Sequence, residues 1–517
     1  MPVSAAGTIV ATGGRFRQRA QQGTFLNTST ERLSVTEKVG YSLGDLAANL
    51  IFQTLMTFLA YFYTDIYRIP AATAATIIFV VGLLGAFVFT PLVAVLADRT
   101  SSRWGKFRPW ILWTAVPFGV LSLLAFSTPD LGAQGKVFYA AATYTLLVLV
   151  YAANNLPYSA LSGVLTGNMG ERNSLSAYRF VAVMVAQLVV QALLLPLVNI
   201  LGDGDRVRGF ENTMLLFAVV GTVFFLITFL TTRERVVPAQ EQKSSIGRDL
   251  ADLAGNRPWL VVLLVTILVF TTLALKGGTY VYYFENYLQE PAMARFLDSI
   301  GFYSVLGGTN SALVGMGLAG FELPEDATTS AFGLFNAGGI VLMVVGIGFS
   351  RKLADRFGKR DVFGVFLVIS TLFMLAFYII PPDRIGLVFG AQILHGFFYG
   401  ITIPLLWAMV ADVADYSEWK NHRRATAIIF SAILCGLKVG LSVGGALVAG
   451  ILAHYGYDAD LPAQAPDTVN GIRLAVSLYC SAPFLVAAAL LFFYKINKPM
   501  ESQIEHDLAA RRVAKPV

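Results

Sequence analysis

Five ionisable side chains, Asp45, Arg179, Lys276, His395 and Lys438, stand inside long apolar stretches of this chain. A charge at the centre of an apolar membrane span costs about 2.5 to 3.5 kcal/mol on insertion scales, so it is retained where a partner, water or a bound molecule compensates it. Asp45 precedes Asn49 by one helical turn, which puts a carboxylate and an amide on one face, suited to carrying a proton or accepting from hydroxyls. Lys276 is followed by Gly277, Gly278, Tyr280, Tyr282 and Tyr283. The glycines let a helix open, and the tyrosines offer a ring face together with a hydroxyl. Lys438 lies too deep in its stretch for its ammonium to reach water from either end, whereas Arg179 lies near the start of its own, where snorkelling competes with a binding role. His395 is of the one side-chain type that ordinarily titrates near neutral pH, and Trp407 offers a flat ring for stacking. Three cations against Asp45 leave a positive interior that an anionic ligand would balance. The chemistry available is reversible binding of a polar molecule and a proton. No nucleophile with its base, phosphate loop or metal-ligand cluster falls in the apolar stretches.

The elements that must hold these groups are membrane helices. The 517 residues are 56% hydrophobic and 14% charged, with mean hydropathy +0.64. Ordinary soluble domains carry about 25% charged residues. Apolar segments of about 20 residues or more, the length that crosses a bilayer, begin near residues 39, 72, 108, 136, 174, 211, 258, 329, 361, 384, 424 and 470. The fold class is therefore an all-α polytopic membrane protein with twelve spans. Cys435 and Cys480 both fall in such segments and read as core thiols. The formal charge of +6 is spread over many short loops, the pattern of positive-inside bias and not of a nucleic-acid surface. Residues 1–38 carry Arg15, Arg17 and Arg19 but no apolar core of a signal peptide, and read as a cytoplasmic tail.

The charges between spans repeat. Ala97-Asp98-Arg99 with Gly105-Lys106 in one half is echoed by Ala354-Asp355-Arg356 with Gly358-Lys359 in the other. Pro157 precedes Glu171 at the same spacing at which Pro404 precedes Glu418, and each proline invites its helix to bend. Two six-helix bundles, 39–232 and 258–494, follow, joined by a cytoplasmic linker at 233–257 and ending in a cytoplasmic tail at 495–517. This is the arrangement of the major facilitator architecture. Ser299 to Phe321 is uncharged and long enough to cross, but a crossing would put the two Ala-Asp-Arg loops on opposite sides. Residues 289–328 are therefore expected to form an extracytoplasmic cap. Asp98, Arg99, Arg103, Arg108, Asp355, Arg356 and Arg360, with Asp412, Asp415 and Glu418, can form ion pairs that close the cytoplasmic side in one conformation and break in another.

The runs Tyr61-Phe62-Tyr63-Thr64-Asp65, Arg103-Trp104-Gly105-Lys106-Phe107-Arg108-Pro109-Trp110 and Ala411-Asp412-Val413-Ala414-Asp415-Tyr416-Ser417-Glu418 resemble those of the glycoside-pentoside-hexuronide:cation symporters, from about Lys38 to Lys498. The resemblance implies a monomeric transporter of the bacterial inner membrane that imports a sugar or glycoside by alternating access. It implies substrate contacts at Asn49, Tyr151, Asn155, Arg179 and Lys438, to which the residues themselves add Lys276, Tyr282 and Trp407. In the melibiose permease of this family the second helix binds sodium through carboxylates, where this chain has Ala86 and Thr90, with Phe89 in place of an asparagine. Sodium needs several convergent oxygens. The expected coupling ion is therefore the proton, carried at Asp45 or His395, with no other cofactor. The positive interior favours an anionic substrate such as a hexuronide or a sulfonated sugar. The rival readings are a sodium-coupled neutral glycoside symporter, a lysolipid carrier and a non-transporting sugar sensor.

Overall fold

The computed structural model describes residues 32–166, 168–235, 255–317, 322–421 and 426–514. The expected tail at 1–38 and linker at 233–257 lie mostly outside these described residues. Among the described residues, twelve helices long and apolar enough to cross a bilayer run over Val35–Ile66, Ala71–Arg99, Arg108–Ala125, Ala133–Leu165, Gly170–Gly202, Arg206–Thr231, Arg257–Asn286, Ala327–Phe357, Lys359–Ile379, Ile385–Lys420, Ile428–His454 and Pro466–Phe493. They are called the first to twelfth helices below. Even the shortest, of 18 residues, reaches roughly 27 Å, close to the thickness of a hydrocarbon core.

Local chemistry sets their ends. Ser34 accepts from the Glu37 amide to start the first helix, and Pro109 occupies the first turn of the third, where its missing N–H costs nothing. Among the described residues, four helices contain a wider π turn, at Phe62–Ile66, Gly85–Phe89, Val189–Leu193 and Ala475–Tyr479. Pro157 and Pro404 lie inside continuous fourth and tenth helices.

Within the first half, the first helix packs on the fifth and sixth, and the third on the fourth and sixth. Within the second, the eighth packs on the tenth, and the seventh on the eleventh and twelfth. The eighth and tenth cross closely because Gly346 and Gly400 face backbone: a Cβ on either would run into the carbonyl of Phe397 or of Met343. The halves meet where the second helix lies along the eleventh, the first against the seventh and the fifth against the eighth.

The connection after the seventh helix holds two short helices, Glu290–Ser299 and Phe302–Gly315. At 10 and 14 residues they are roughly 15 and 21 Å long, too short to cross. Phe296 packs against Phe389 of the tenth helix at 4.7 Å, fixing the cap to the second half. Residues 318–321, the end of the uncharged stretch, are outside the described residues. The cap marks one face of the molecule; the opposite face, where the first helix begins, is called the terminal face.

The segment expected as a tail at 495–517 contains a further helix, Lys498–Ala514, docked on the terminal face of the second half. Ile504 and Leu508 are buried, Trp419 Nε1 donates to Asp507 at 2.8 Å, and Lys359 Nζ bridges Asp412 and Glu501 at 2.6 Å each.

Candidate functional site

Between the halves lies a cavity with about 880 Å³ free of protein atoms, part of it open to solvent, walled by the first, second, fourth, seventh and eleventh helices. Tyr151 and Lys438, both expected at the site, line it. Phe52 stacks on Tyr151 with ring centres 5.8 Å apart. Lys438 Nζ donates to Thr90 Oγ1 at 2.5 Å, and Thr90 in turn donates to the Gly85 carbonyl at 2.7 Å. In the π turn at Gly85–Phe89 that carbonyl accepts the Thr90 amide five residues on, and the threonine hydroxyl adds a second bond to it while turning a lone pair toward the lysine.

On the terminal side of the cavity the structure brings Asp45, Asn49 and Arg179 together. Arg179 Nε donates to Asp45 Oδ2 at 2.7 Å, and Asn49 Nδ2 donates to the Asp45 carbonyl at 2.8 Å. Tyr41 and Tyr158 stack at 4.5 Å, and each hydroxyl donates to the other's backbone carbonyl at 2.7 Å. The guanidinium of Arg179 lies over both rings, at 5.6 and 5.4 Å. The carboxylate and the two ring faces compensate a cation that the sequence could equally have sent snorkelling. Asn155 lies one turn beyond Tyr151 on the fourth helix, half-buried.

Lys276 is not at the cavity wall. Its Nζ is 2.9 Å from His395 Nε2, while His395 Nδ1 is 2.9 Å from the Ser370 carbonyl. A carbonyl only accepts, so Nδ1 carries the hydrogen and Nε2 receives from the ammonium. This pair ties the seventh, ninth and tenth helices inside the second half. Trp407 is half-buried against the core and takes no part in the cavity wall.

Tyr282 lies at the cap face, fully buried, in a layer that closes the cavity there. Its hydroxyl is 2.7 Å from Thr64 Oγ1. Beside it Tyr61 donates to Glu285 at 3.0 Å, Arg206 pairs with Glu285 at 2.7 Å, and Tyr457 donates to Asp65 at 2.6 Å. Arg68 pairs with Asp460 at 2.7 Å further out. Every one of these joins the first half to the second. Sequence reasoning missed this layer because Arg206 and Glu285 stand at the ends of apolar runs, where charges ordinarily mark topology. Burial of the Tyr457 phenol beside Asp65 pushes its pKa well above the usual tyrosine range, which keeps it a donor.

The family described as MFS/sugar transport protein matches residues 40–314 and 326–498. The chain belongs to that family. It is 33% identical over 474 residues to a putative glycoside/cation symporter, YagG, of Escherichia coli (strain K12), covering 92% of this chain and 94% of the relative. It is 35% identical over 461 residues to the inner membrane symporter YicJ of the same organism, covering 89% and 92%. A solved bacterial homologue of the human lysosomal transporter Spinster superposes with TM-score 0.59 at 14% identity, covering 89% of this chain and 97% of that one. Family and fold are those of a multi-pass major facilitator transporter, and the relatives indicate a bacterial inner membrane.

In this MFS/sugar transport protein the partners seen for seven of the charges expected to gate the terminal face, Asp98, Arg103, Arg108, Asp355, Arg356, Arg360 and Asp412, lie within one half. Asp98 holds Lys106 at 2.8 Å, Arg103 stacks over Trp104, and Arg108 donates to the Phe229 carbonyl at 2.7 Å. Asp355 lies 3.8 Å from Arg351, Arg356 stacks over Phe357, and Arg360 pairs with Asp361 at 2.7 Å. Asp412 is held by Lys359, and Asp415 and Glu418 follow it on the tenth helix; Arg99 is exposed. The best-satisfied group in the first loop is one the motif did not flag. Glu234 accepts from the amides of Lys106, Phe107 and Arg108 at 2.7 to 2.9 Å and so caps the third helix.

Proposed function

We propose that this transporter imports a glycoside together with a proton, alternating between the conformation described here and one open at the cap face, with both termini in the cytoplasm. The observation that carries the reading is the asymmetry around the central cavity. Cross-half ion pairs and hydrogen bonds close its cap face, whereas the charged pairs seen among the described residues of the terminal face stay within their own halves. A carrier loading at one face and releasing at the other needs that division. The relative named as a putative glycoside/cation symporter supplies the substrate class.

Two features support the proton. Thr90, at a position where a sodium site would need an anionic oxygen, already receives Lys438. Asp45 and His395, the two groups suited to taking a proton, each hold a cation, Arg179 and Lys276. Protonation of Asp45 releases Arg179 to a substrate oxygen, so proton and substrate binding favour each other, and the reciprocity of linkage makes the coupling mutual.

The test is uptake into proteoliposomes of neutral xylosides and glucosides, glucuronides and a sulfonated sugar, driven separately by proton and sodium gradients. Accumulation driven by the proton gradient is expected, with anionic members preferred. Sodium-driven uptake indifferent to pH overturns proton coupling, and binding without flux supports a sensor.

A further inference from the structure

Polarity changes in one direction along the central cavity, and helices running in opposite senses agree on it. The first and eleventh helices run from the terminal face to the cap face, and the second and fourth run back. Going toward the cap face, Asp45 and Asn49 on the first helix give way to Phe52, Leu55 and Leu59, and Lys438 on the eleventh gives way to Leu441 and Val448. On the fourth, Asn155 and Tyr151 give way to Val148 and then to Tyr144, which brings one phenol to the upper wall, and on the second Thr90 gives way to Gly82 and Ile78. The one serine of the upper wall, Ser442, spends its hydroxyl on the carbonyl of Lys438 in its own helix. The apolar chamber extends along the first helix from Phe52 to Ala60, roughly 12 Å. It ends blindly under buried Tyr61 and Tyr282.

A sugar ring placed in that upper chamber would find the Tyr144 phenol for one hydroxyl and leave the others without partners, a loss that apolar contact does not repay. Resting on the transport reading above, we infer that the substrate is a glycoside with a compact apolar aglycone, an aryl or short alkyl group. The sugar sits at the polar end, within reach of Asn49, Tyr151 and Lys438. The aglycone points toward the cap face among Leu55, Leu59, Ile78 and Val448. The blind end limits its length, which separates this occupant from a lipid chain.

The experiment compares, in proteoliposomes, inhibition of uptake and direct uptake of free xylose, methyl β-xyloside, phenyl β-xyloside and dodecyl β-xyloside, with the matching glucoside and glucuronide sets. For the best-accepted sugar, the phenyl glycoside is expected to exceed the methyl glycoside in apparent affinity by about tenfold or more, the scale at which an apolar pocket discriminates. The variants Leu59→Asn and Val448→Ser, which make the chamber polar, are expected to bring the phenyl-to-methyl ratio toward one. That ratio is internal to each preparation and does not depend on how much variant protein folds. Equal or better acceptance of free sugar or methyl glycoside overturns the inference while leaving glycoside transport standing. Preference for the dodecyl glycoside overturns it in favour of a lipid-like substrate. Uptake of no member overturns the transport reading and the inference together.

Discussion

Lys438 reaches across the boundary between the two halves and donates to Thr90 Oγ1, the first residue after the π turn of the second helix. One ammonium thus ties the halves at mid-membrane, at the polar end of the cavity, through a single hydroxyl. Lys438→Met is expected to lower uptake by about 10- to 100-fold, the scale of a lost hydrogen bond to a charged group, and Thr90→Val by less. Initial rates in proteoliposomes check this, and Thr90→Val proving the more damaging would contradict it.

The Asp45–Arg179 pair is almost fully shielded on the acid side, with side-chain exposures of 7% and 27%. Removing either partner leaves the other uncompensated, at about 3 kcal/mol. Asp45→Asn and Arg179→Gln are each expected to lower thermal stability in detergent. The double variant should lose clearly less than the sum of the two, and strict additivity in that cycle argues against a coupled pair.

Glu285→Gln and Tyr457→Phe weaken the cap-face layer and should favour the conformation open there. A cysteine introduced at Leu59, 2% exposed in the cap-closed form, should then react several-fold faster with a maleimide applied from the cap side, since about 1.4 kcal/mol shifts the two populations tenfold. Unchanged labelling would mean that the layer is not a gate.

His395→Gln keeps a hydrogen bond for Lys276 but removes a titratable ring. Exchange of labelled for unlabelled substrate should persist, while accumulation driven by a pH gradient collapses toward equilibrium. Retained proton-driven accumulation places coupling at Asp45 alone.

Gly105 has φ +107°, and a Cβ there would meet the Glu234 carboxylate that caps the third helix. Gly105→Ala is expected to destabilise the first half by about 2 kcal/mol or more from backbone strain and displacement of the carboxylate. Glu234→Ala should cost about 1–3 kcal/mol by orphaning three amides. Equal melting of Gly105→Ala and the parent would refute the strain.

Much was legible in single residues and their spacing. Apolar length located the twelve helices, because a span must satisfy its backbone internally and present hydrocarbon to lipid. The repeated Ala-Asp-Arg and Pro-to-Glu elements marked the two halves, and one helical turn placed Asp45 and Asn49 together. The docked helix Lys498–Ala514 was not legible in the sequence, because its anchors Asp412 and Trp419 are distant in sequence.

The sequence by itself determined the class of molecule, its spans, its duplication and the mid-membrane charges, since each of these follows from transfer energy or local periodicity. Only the tertiary structure decided which charge meets which: Arg179 with Asp45, Lys276 with His395, Lys438 with Thr90. It also decided that the cross-half pairs lie at the cap face. The physical reason is that a buried charge requires a partner but does not specify it. The choice depends on how helices far apart in the chain are rotated and packed, and one-dimensional spacing does not carry that information.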